Sequence, residues 1–351
     1  MTEALAGLQA AQGAITDQAG VALRYGDLAD EVAAVESSAG LFDPGPCGVI
    51  IIRGPQAGPF LNGLVTTDVD ALALGKHQHT LICANKGKIL HHCRLVRTKE
   101  EEYLLITEPG ELEAVGAYLD FYHIREELQM GQSGLVRLDL LGPAVPDVLR
   151  SHDMAEVSVD GRFAEGALVT LSDPLGHLPR TLVLIPESNA PAFVDALIFG
   201  EPAVRLMGLE SCEELRIRAG LPRFGTDYGQ DHLPAEAAVL SHVSFTKGCY
   251  VGQEIHARMH HRGHPNRKLV VVEWPETHTP ALNPGSALFH DGTEVGRITS
   301  QNQVPVDGKR RAIAMVRYTA VKQGALLAAA IDEAPAISMT PLRSDLGGAK
   351  G

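Results

Sequence analysis

The stretch VIIIRGPQAGPFL, residues 49–61, decides the fold, because its pattern returns as LVRLDLLGPAVPDVL at residues 135–149. Each copy is an apolar run, then Gly-Pro, then a short segment with helical spacing. The β-branched and leucine-rich run predicts a strand. Proline directly after it suits the first turn of a helix. The two copies therefore predict a pseudo-repeat, which is clear in its pattern and weak in identity.

Similar elements follow each copy. After the first we expect strands at 80–84, 89–97 and 103–107 and a helix at 111–122; after the second, strands at 167–172 and 181–185 and a helix at 190–199. The order predicts an α+β protein with two ferredoxin-like βαββα-type domains. Upstream, Asp27 caps a helix that ends at Gly40, and residues 41–46 form a turn.

The pattern changes at Lys268. A strand begins there, and Asp291-Gly292 between two apolar segments is a strong hairpin signal. Further short strands are expected at 312–318, 325–330 and 336–340. This part of the chain therefore predicts a small C-terminal β-barrel or sandwich.

The composition limits the class of protein. The chain has 351 residues, a net charge of −13 and an apolar fraction of 45%, which suits two or three globular domains. The charge argues against a stable nucleic-acid complex. Without an apolar run long enough for a membrane span or a signal peptide, we expect a cytoplasmic protein with no membrane association. Its five cysteines are then expected to be reduced.

The segment KGCYVGQE, residues 247–254, is the densest candidate site. Gly248 and Gly252 allow tight turns or close approach of a ligand. Lys247, and a helix that starts near Cys249 or Gly252, would favour the thiolate of Cys249, which is the nucleophilic and metal-binding form. Tyr250, Gln253 and Glu254 complete the motif. The alternative is a buried, inert cysteine.

Histidines crowd the residues that follow. His256 and His260 have the i, i+4 spacing of zinc-binding helices, and His264 is close behind. No HExxH order and no cysteine cluster completes a site, so we assign no metal. The alternative is a basic surface, either solvated or facing a bound ligand, formed with Arg258, Arg262, Arg267 and Lys268.

Two further segments contain candidate ligand-binding residues. Arg216 and Arg218 lie at the end of a predicted helix, where they complement its dipole or bind an anion. Asp227 and Glu236 lie in loops, where they cap the chain or accept hydrogen bonds from a heterocycle. Asn85 lies in a turn between strands.

Together these segments resemble the YgfZ family of folate-binding proteins, relatives of the glycine-cleavage T-protein, an aminomethyltransferase. KGCYVGQE followed by IHARMHHRG is the specific mark. Other matching landmarks, between Tyr25 and Leu342, are Gly40-Leu-Phe-Asp, Gly54-Pro55, Thr67-Asp68-Val69, the turn from Asn85 to Ile89, Arg216-Ile-x-Ala-Gly, Pro234-x-Glu236 and Glu294-Val-Gly-x-Ile-Thr-Ser.

The resemblance implies three domains around a central channel that holds tetrahydrofolate or a one-carbon derivative of it. We place the boundaries at 25–132 for the N-terminal folate-binding domain, with 228–265 packing back on it, at 133–227 for the second α+β domain and at 266–343 for the barrel. Residues 1–24 are an N-terminal tail, either loose or with a short helix, and residues 344–351 are a C-terminal tail. Asn85, Arg216, Asp227 and Glu236 are the folate contacts that the resemblance and their chemistry nominate.

The resemblance also implies a function. Members of this family support assembly or repair of iron–sulfur enzymes, including tRNA-modifying ones, so iron–sulfur proteins or their assembly factors are expected partners, with Cys249 and Lys247 as the reactive pair. T-proteins carry aspartates where this chain has His91 and His92, and an asparagine where this chain has Glu108. Because those aspartates are absent here, aminomethyltransferase activity is the alternative function and not the main one. A zinc-binding interaction module on His256, His260 and His264 is the third hypothesis. Whether the chain is an enzyme stays open.

Overall fold

The computed structural model describes residues 3–155, 157–163, 166–278, 281–331 and 333–342. The predicted tail at 344–351 lies outside these residues. The chain divides into two compact units. Unit 1 comprises Met1–Gly63, Asp68–Thr80 and His92–Cys212, and unit 2 comprises Leu64–Thr67, Leu81–His91 and Glu213–Gly351. The three-domain boundaries stay a prediction.

The chain up to Met207 contains six α-helices and thirteen strands among the described residues. The helices are α1 (Glu3–Ala11), α2 (Leu28–Ser37), α3 (Ala57–Leu64), α4 (Leu112–Tyr122), α5 (Val145–Ser151) and α6 (Ala190–Ile198). The strands are β1 (Ile15–Thr16), β2 (Ala22–Arg24), β3 (Gly40–Phe42), β4 (Cys47–Arg53), β5 (His77–Cys83), β6 (Ile89–Lys99), β7 (Glu102–Pro109), β8 (Gln129–Gln132), β9 (Leu135–Leu141), β10 (Ser158–Phe163), β11 (Gly166–Ser172), β12 (Arg180–Pro186) and β13 (Arg205–Met207).

The predicted repeat is present: the first copy has the three later strands that were expected, and the second has β10 in addition to the two expected. The first copy runs β4-α3-β5-β6-β7-α4 and the second runs β9-α5-β10-β11-β12-α6. The sheets have matching orders, β5-β6-β7-β4-β8 and β10-β11-β12-β9-β3-β13. A mixed α+β fold is therefore established, while the ferredoxin-like description and the central channel stay predictions.

The Gly-Pro signal of each copy has a backbone cause. Gly54 and Gly142 have φ values of 135° and 130°, a region that side chains other than glycine rarely adopt. A Cβ atom would lie 2.6 Å from the Glu127 carbonyl oxygen at Gly54 and 2.4 Å from the Ser38 carbonyl oxygen at Gly142. Both copies thus use glycine for the same turn and the same close approach to a neighbouring backbone.

Within unit 1 the strands share an apolar core. Val49, Val96, Leu104 and Ile106 of the first sheet pack against side chains of the second sheet, which are Val169, Leu171, Leu182 and Leu184. All of these are buried, and the positions between them, such as Leu105 and Val183, are buried too, so these strands are covered on both faces. The polar residues on these strands are therefore the exceptions that need partners.

The start of the chain contains the short helix that was one of its two expected forms. This helix is α1, and the strands β1 and β2 follow it. The Asp27 cap is confirmed, since its Oδ1 accepts from the Ala29 amide at 2.9 Å. The expected turn at 41–46 is wrong for Leu41 and Phe42, which belong to β3, because their backbones pair with Leu140 and Asp139 of β9.

The rest of the chain contains α7 (Leu209–Arg218), α8 (Gln253–Arg262), β14 (Arg267–Pro275), β15 (Ala287–His290), β16 (Thr293–Gln301), β17 (Lys309–Arg317), α9 (Tyr318–Gln323) and β18 (Ser338–Pro341). The sheet has the order β15-β16-β17-β14-β18. Its hairpin at Asp291-Gly292 is confirmed, with φ values of 48° and 70°. The strand expected at 325–330 is replaced by two isolated β-bridges, Phe289–Ala328 and Leu327–Ile337.

No helix among the described residues has the length and apolar character needed to cross a membrane. The cytoplasmic location stays a prediction.

Candidate functional site

The KGCYVGQE loop is attached to its own unit by Ser244 and Lys247. The Ser244 amide donates to the Thr66 carbonyl at 2.8 Å. The Lys247 ammonium donates to the carbonyls of Val65 at 2.9 Å and Thr67 at 2.7 Å, and it lies 5.1 Å from the centroid of the Tyr250 ring. These contacts give Lys247 an anchoring role. Its predicted effect on the Cys249 thiolate stays a prediction.

The glycine before α8 is required by the backbone. Gly252 has a φ of 88°, and a Cβ atom there would lie 2.6 Å from the Ala84 carbonyl oxygen. Gln253 begins the helix, and its Oε1 accepts from the Tyr250 amide at 3.1 Å. The start of α8 thus packs directly on the hairpin turn at residues 84–88, and the motif glycine makes this approach possible.

A buried chain of hydrogen bonds continues this contact. His256 Nε2 lies 2.7 Å from the Gly87 carbonyl oxygen, and Nδ1 lies 3.2 Å from the Tyr250 hydroxyl. A carbonyl only accepts, so Nε2 carries the proton and Nδ1 accepts from Tyr250. Burial lowers the pKa of His256 and raises that of Tyr250. Both side chains are therefore neutral when the motif is folded.

Cys249 lies exposed between these two anchors. Tyr250 beside it is buried, Lys247 is half-buried, and Gly248 and Glu254 are exposed like the cysteine. Cys47, Cys83 and Cys93 are buried, and burial raises the pKa of the Cys47 and Cys83 thiols to about 12. The alternative of a buried Cys249 is therefore wrong. This thiol is accessible to a partner or a reagent, unlike those of the three buried cysteines.

The histidines after the motif do not form a ligand set. Both ring nitrogens of His256 face protein partners. The ring of His260 stacks on Phe245 with centroids 4.0 Å apart, and that of His264 stacks on Tyr318 at 4.6 Å. In the described part of the chain, His256, His260 and His264 are not a group of converging metal ligands. Helical spacing predicted the shared helix of His256 and His260, but each ring packs separately.

Arg216 and Asp227, two of the expected folate contacts, form an ion pair with each other. Arg216 Nη1 donates to Asp227 Oδ2 at 2.7 Å and to the Leu221 carbonyl at 2.8 Å, and its Nε donates to Glu213 at 2.8 Å. Asp227 also accepts from Thr299, Ser300 and the Arg223 amide. Both side chains are buried in unit 2. Their observed contacts are structural, and their contact with folate stays a prediction.

The other two nominees are separate from this pair. Glu236 is buried, and it accepts from the Leu233 amide at 3.0 Å and from Arg267 Nε at 3.3 Å. Asn85 is exposed in the turn that packs against α8. The loop-capping alternative thus describes Glu236, whereas Asn85 alone among the four is displayed on the surface.

Unit 1 contains a polar cluster that sequence reasoning noticed only in part. Of its residues, the sequence analysis singled out His92. In the structure, His92 Nε2 lies 3.0 Å from His79 Nδ1. His79 Nε2 lies 3.1 Å from Asp173 Oδ1, and His92 Nδ1 lies 3.3 Å from Glu108 Oε1. The missed signal is the alternation of His77 and His79 along the polar first half of β5, ahead of its apolar end at residues 81–83.

Charge shapes the pKa values in this cluster. Burial, and then the neighbouring Arg94, lower the pKa of His79 to about 3. Burial would raise the pKa of Glu108, but the His92 hydrogen bond, with Arg137 and Arg94, lowers it to about 2. Glu108 is therefore an anion and His79 a neutral imidazole across the physiological range.

A cavity of about 270 Å³ also lies in unit 1. Its polar lining comes from Asp43, Cys47, Gln132, Arg137 and Glu187. None of the residues nominated from the sequence lines it. Burial raises the pKa of Asp43, although the Gly45 amide and Gln9 stabilise its anion.

Comparison with known proteins places these features in a family. Residues 9–167 match the model of the GCVT N-terminal domain. The chain is 31% identical over 307 residues to an aminomethyltransferase of Geobacillus kaustophilus, covering 84% of each chain. It is 29% identical over 295 residues to one of Lysinibacillus sphaericus, covering 81% of this chain and 80% of the other.

The fold has a close counterpart among solved structures. The glycine cleavage system aminomethyltransferase T of Bartonella henselae superimposes with a TM-score of 0.84, at 24% identity, over 99% of this chain and 98% of that one. At this identity the likeness establishes the fold alone. The family follows from the Geobacillus kaustophilus relative: the chain belongs to the aminomethyltransferase family that contains the GCVT N-terminal domain.

Proposed function

We propose that this chain binds tetrahydrofolate, or a one-carbon derivative, and supports the assembly or repair of iron–sulfur enzymes, including tRNA-modifying ones, through Cys249. The observation that carries the proposal is the exposed thiol on a loop held by Lys247 on one side and by Tyr250 and Gly252 on the other. Membership of the aminomethyltransferase family, whose glycine-cleavage members use tetrahydrofolate, supports the folate part.

A thiolate at Cys249 is a ligand for a soft metal or a nucleophile towards sulfur and one-carbon groups. One cysteine holds no stable cluster alone, since protein-bound clusters take about four such ligands. An iron–sulfur partner or its assembly factor therefore supplies the remaining ligands. The proposal thus requires an encounter with another protein at the exposed loop.

Deletion of the gene in its host, followed by assays of iron–sulfur enzymes, tests the cellular role. We expect several of these activities to fall and to return with the wild-type chain. Unchanged activities after deletion would remove the proposal. Titration of the purified chain with tetrahydrofolate tests the ligand separately, and saturable binding of one molecule per chain is expected.

The second candidate is a folate-dependent aminomethyltransferase, and the names of the relatives favour it over the accessory role. His91 and His92 weigh against it, because they occupy the positions where the resemblance places carboxylates. A histidine is also able to act as acid or base. Formation of methylenetetrahydrofolate from an aminomethyl donor separates the two candidates. Turnover would establish the second, and its absence with folate bound would leave the accessory role.

A further inference from the structure

Basic residues gather beside the Cys249 loop, in a chain that is acidic as a whole. The chain has 30 Lys and Arg residues against 43 Asp and Glu residues, yet residues 247–268 contain five basic residues and one acidic residue. Residues 84–91 add two lysines and no acidic residue. Both segments belong to unit 2. The positive charge is therefore concentrated in one part of one unit.

Backbone contacts bring the two segments together. A Cβ atom on Gly87 would lie 2.9 Å from Ile255 Cβ, so the first turn of α8 packs directly on the turn that contains Gly87. Lys86 and Lys88 flank this glycine, and Arg258 follows Ile255 by about one turn of the helix. All three basic side chains are exposed. We call Lys86, Lys88 and Arg258 the basic face.

A contact through Asp231 extends the positive charge towards β14. Lys88 Nζ donates to Asp231 Oδ1 at 3.3 Å, and Arg267 Nη2 donates to the Asp231 carbonyl at 3.0 Å. The side chains of Lys88 and Asp231 are 47% and 88% exposed, so water screens their ion pair. The exposed Glu254 and Asp231 reduce the positive charge of this surface and do not reverse it.

Cys249 is close enough to this charge to be affected by it. It precedes Gly252 by three residues, so the two Cα atoms are at most about 11 Å apart. A Cβ atom on Gly252 would in turn lie 3.1 Å from Gly87 Cα. The screening length is about 10 Å at 0.1 M salt. A charged group that approaches the exposed thiol therefore experiences the basic face, and more strongly at low salt.

We propose that the basic face docks an acidic surface patch of the protein that meets Cys249. The inference rests on the proposed function, which requires such a protein, and it adds the charge of the docking patch. A compact acidic patch suits this face better than RNA, because a long polyanion would extend beyond it onto a chain of net charge −13. Complementary charge of this kind mainly raises the rate of association.

Formation of a mixed disulfide at Cys249 tests the charge of the partner. The probes are three short peptides with one cysteine, activated as a thiopyridyl disulfide, between flanks of Glu, Gln or Lys. The Cys249 thiolate attacks the peptide sulfur, and thiopyridone leaves with the electron pair of the broken S–S bond. At low salt the Glu peptide should react at least about tenfold faster than the Gln peptide, and the Lys peptide more slowly. Salt at about 0.5 M should remove most of this preference.

Charge reversal places the effect on the surface. Lys86→Glu/Arg258→Glu should slow the Glu peptide by at least about tenfold and accelerate the Lys peptide. Lys99→Glu/Arg150→Glu is the matched control, because it changes the net charge equally through unit 1 residues whose side chains are 72% and 75% exposed. The control should keep the preference for the Glu peptide, and a control as slow as the first variant would overturn the basic face.

The unaltered chain tests the proposal even where a variant fails to fold. Equal rates for the Glu and Lys peptides at low salt would overturn the docking face. An oligouridylate with the same activated disulfide that reacts faster than the Glu peptide would overturn it in favour of RNA. The proposed function fails separately, since charge preference without any loss of iron–sulfur activity on deletion would remove the accessory role, whereas absent preference with full rescue would remove only the face.

Discussion

Gly252→Ala is the substitution that most directly tests how the motif is held. The residue has a φ of 88°, so a side chain there costs about 1–2 kcal/mol. The new Cβ would also lie 2.6 Å from the Ala84 carbonyl oxygen and 3.1 Å from Gly87 Cα, both of them backbone atoms. Forcing these apart costs about 1–3 kcal/mol. The free energy of unfolding should therefore fall by about 2–5 kcal/mol.

The same motif supplies a matched control. Gly248 is not among the glycines of positive φ, and a Cβ there would meet nothing within 4 Å. Gly248→Ala should change the free energy of unfolding by less than about 0.5 kcal/mol. Urea unfolding followed by fluorescence of Trp274, the single tryptophan, measures both, because this residue is buried in unit 2 with the motif. Equal effects of the two substitutions would refute the reasoning.

Three further predictions concern the motif. Lys247→Met should lower the free energy of unfolding by about 1–3 kcal/mol, because it removes the donor to the Val65 and Thr67 carbonyls; the exposed Lys86→Met is the control, and equal urea midpoints would contradict the anchoring role. Burial lowers the pKa of His256, so the unfolded chain binds more protons near pH 6.5 and stability, complete above that pH, falls as the pH drops below it. His256→Gln should show a smaller loss between pH 7.5 and 5.5 in urea unfolding, and an unchanged loss would exclude His256. A thiol reagent should label Cys249 fastest under native conditions, and Cys249→Ser should abolish that phase; its persistence would place the reactive thiol elsewhere.

Local signals in the sequence predicted the scaffold well. Some turns depend on backbone conformations that few residue types tolerate, so the local sequence is enough to predict them. Examples are the Gly-Pro turns at Gly54 and Gly142 and the hairpin at Asp291-Gly292. The short β3 strand was missed, because its regularity comes from pairing with β9, about a hundred residues away. β10 was missed because its alternation is weak and its pairing with β11 defines it.

For the candidate sites too, features set by consecutive residues were predicted and features set by distant packing were not. The motif residues were found because they are consecutive, and the glycine requirement at Gly252 follows from the turn that it makes. The partners of His92 were missed. His79 lies on the neighbouring strand β5, ahead of the strand predicted from residue 80, and Asp173 reaches His79 only through the packing of unit 1. Arg216 and Asp227 were chosen for their charge, which is the property that a buried ion pair also requires. Chemical type alone did not separate the two roles.

Complementation with a single altered atom tests the central claim most directly. The deleted host receives the wild-type chain, Cys249→Ser or the control Cys212→Ser at equal protein levels, and its iron–sulfur enzyme activities are assayed. Cys212 is only partly exposed and lies outside the motif. We predict that the wild type and Cys212→Ser restore the activities and that Cys249→Ser does not. Full restoration by Cys249→Ser would contradict a chemical role for this thiol.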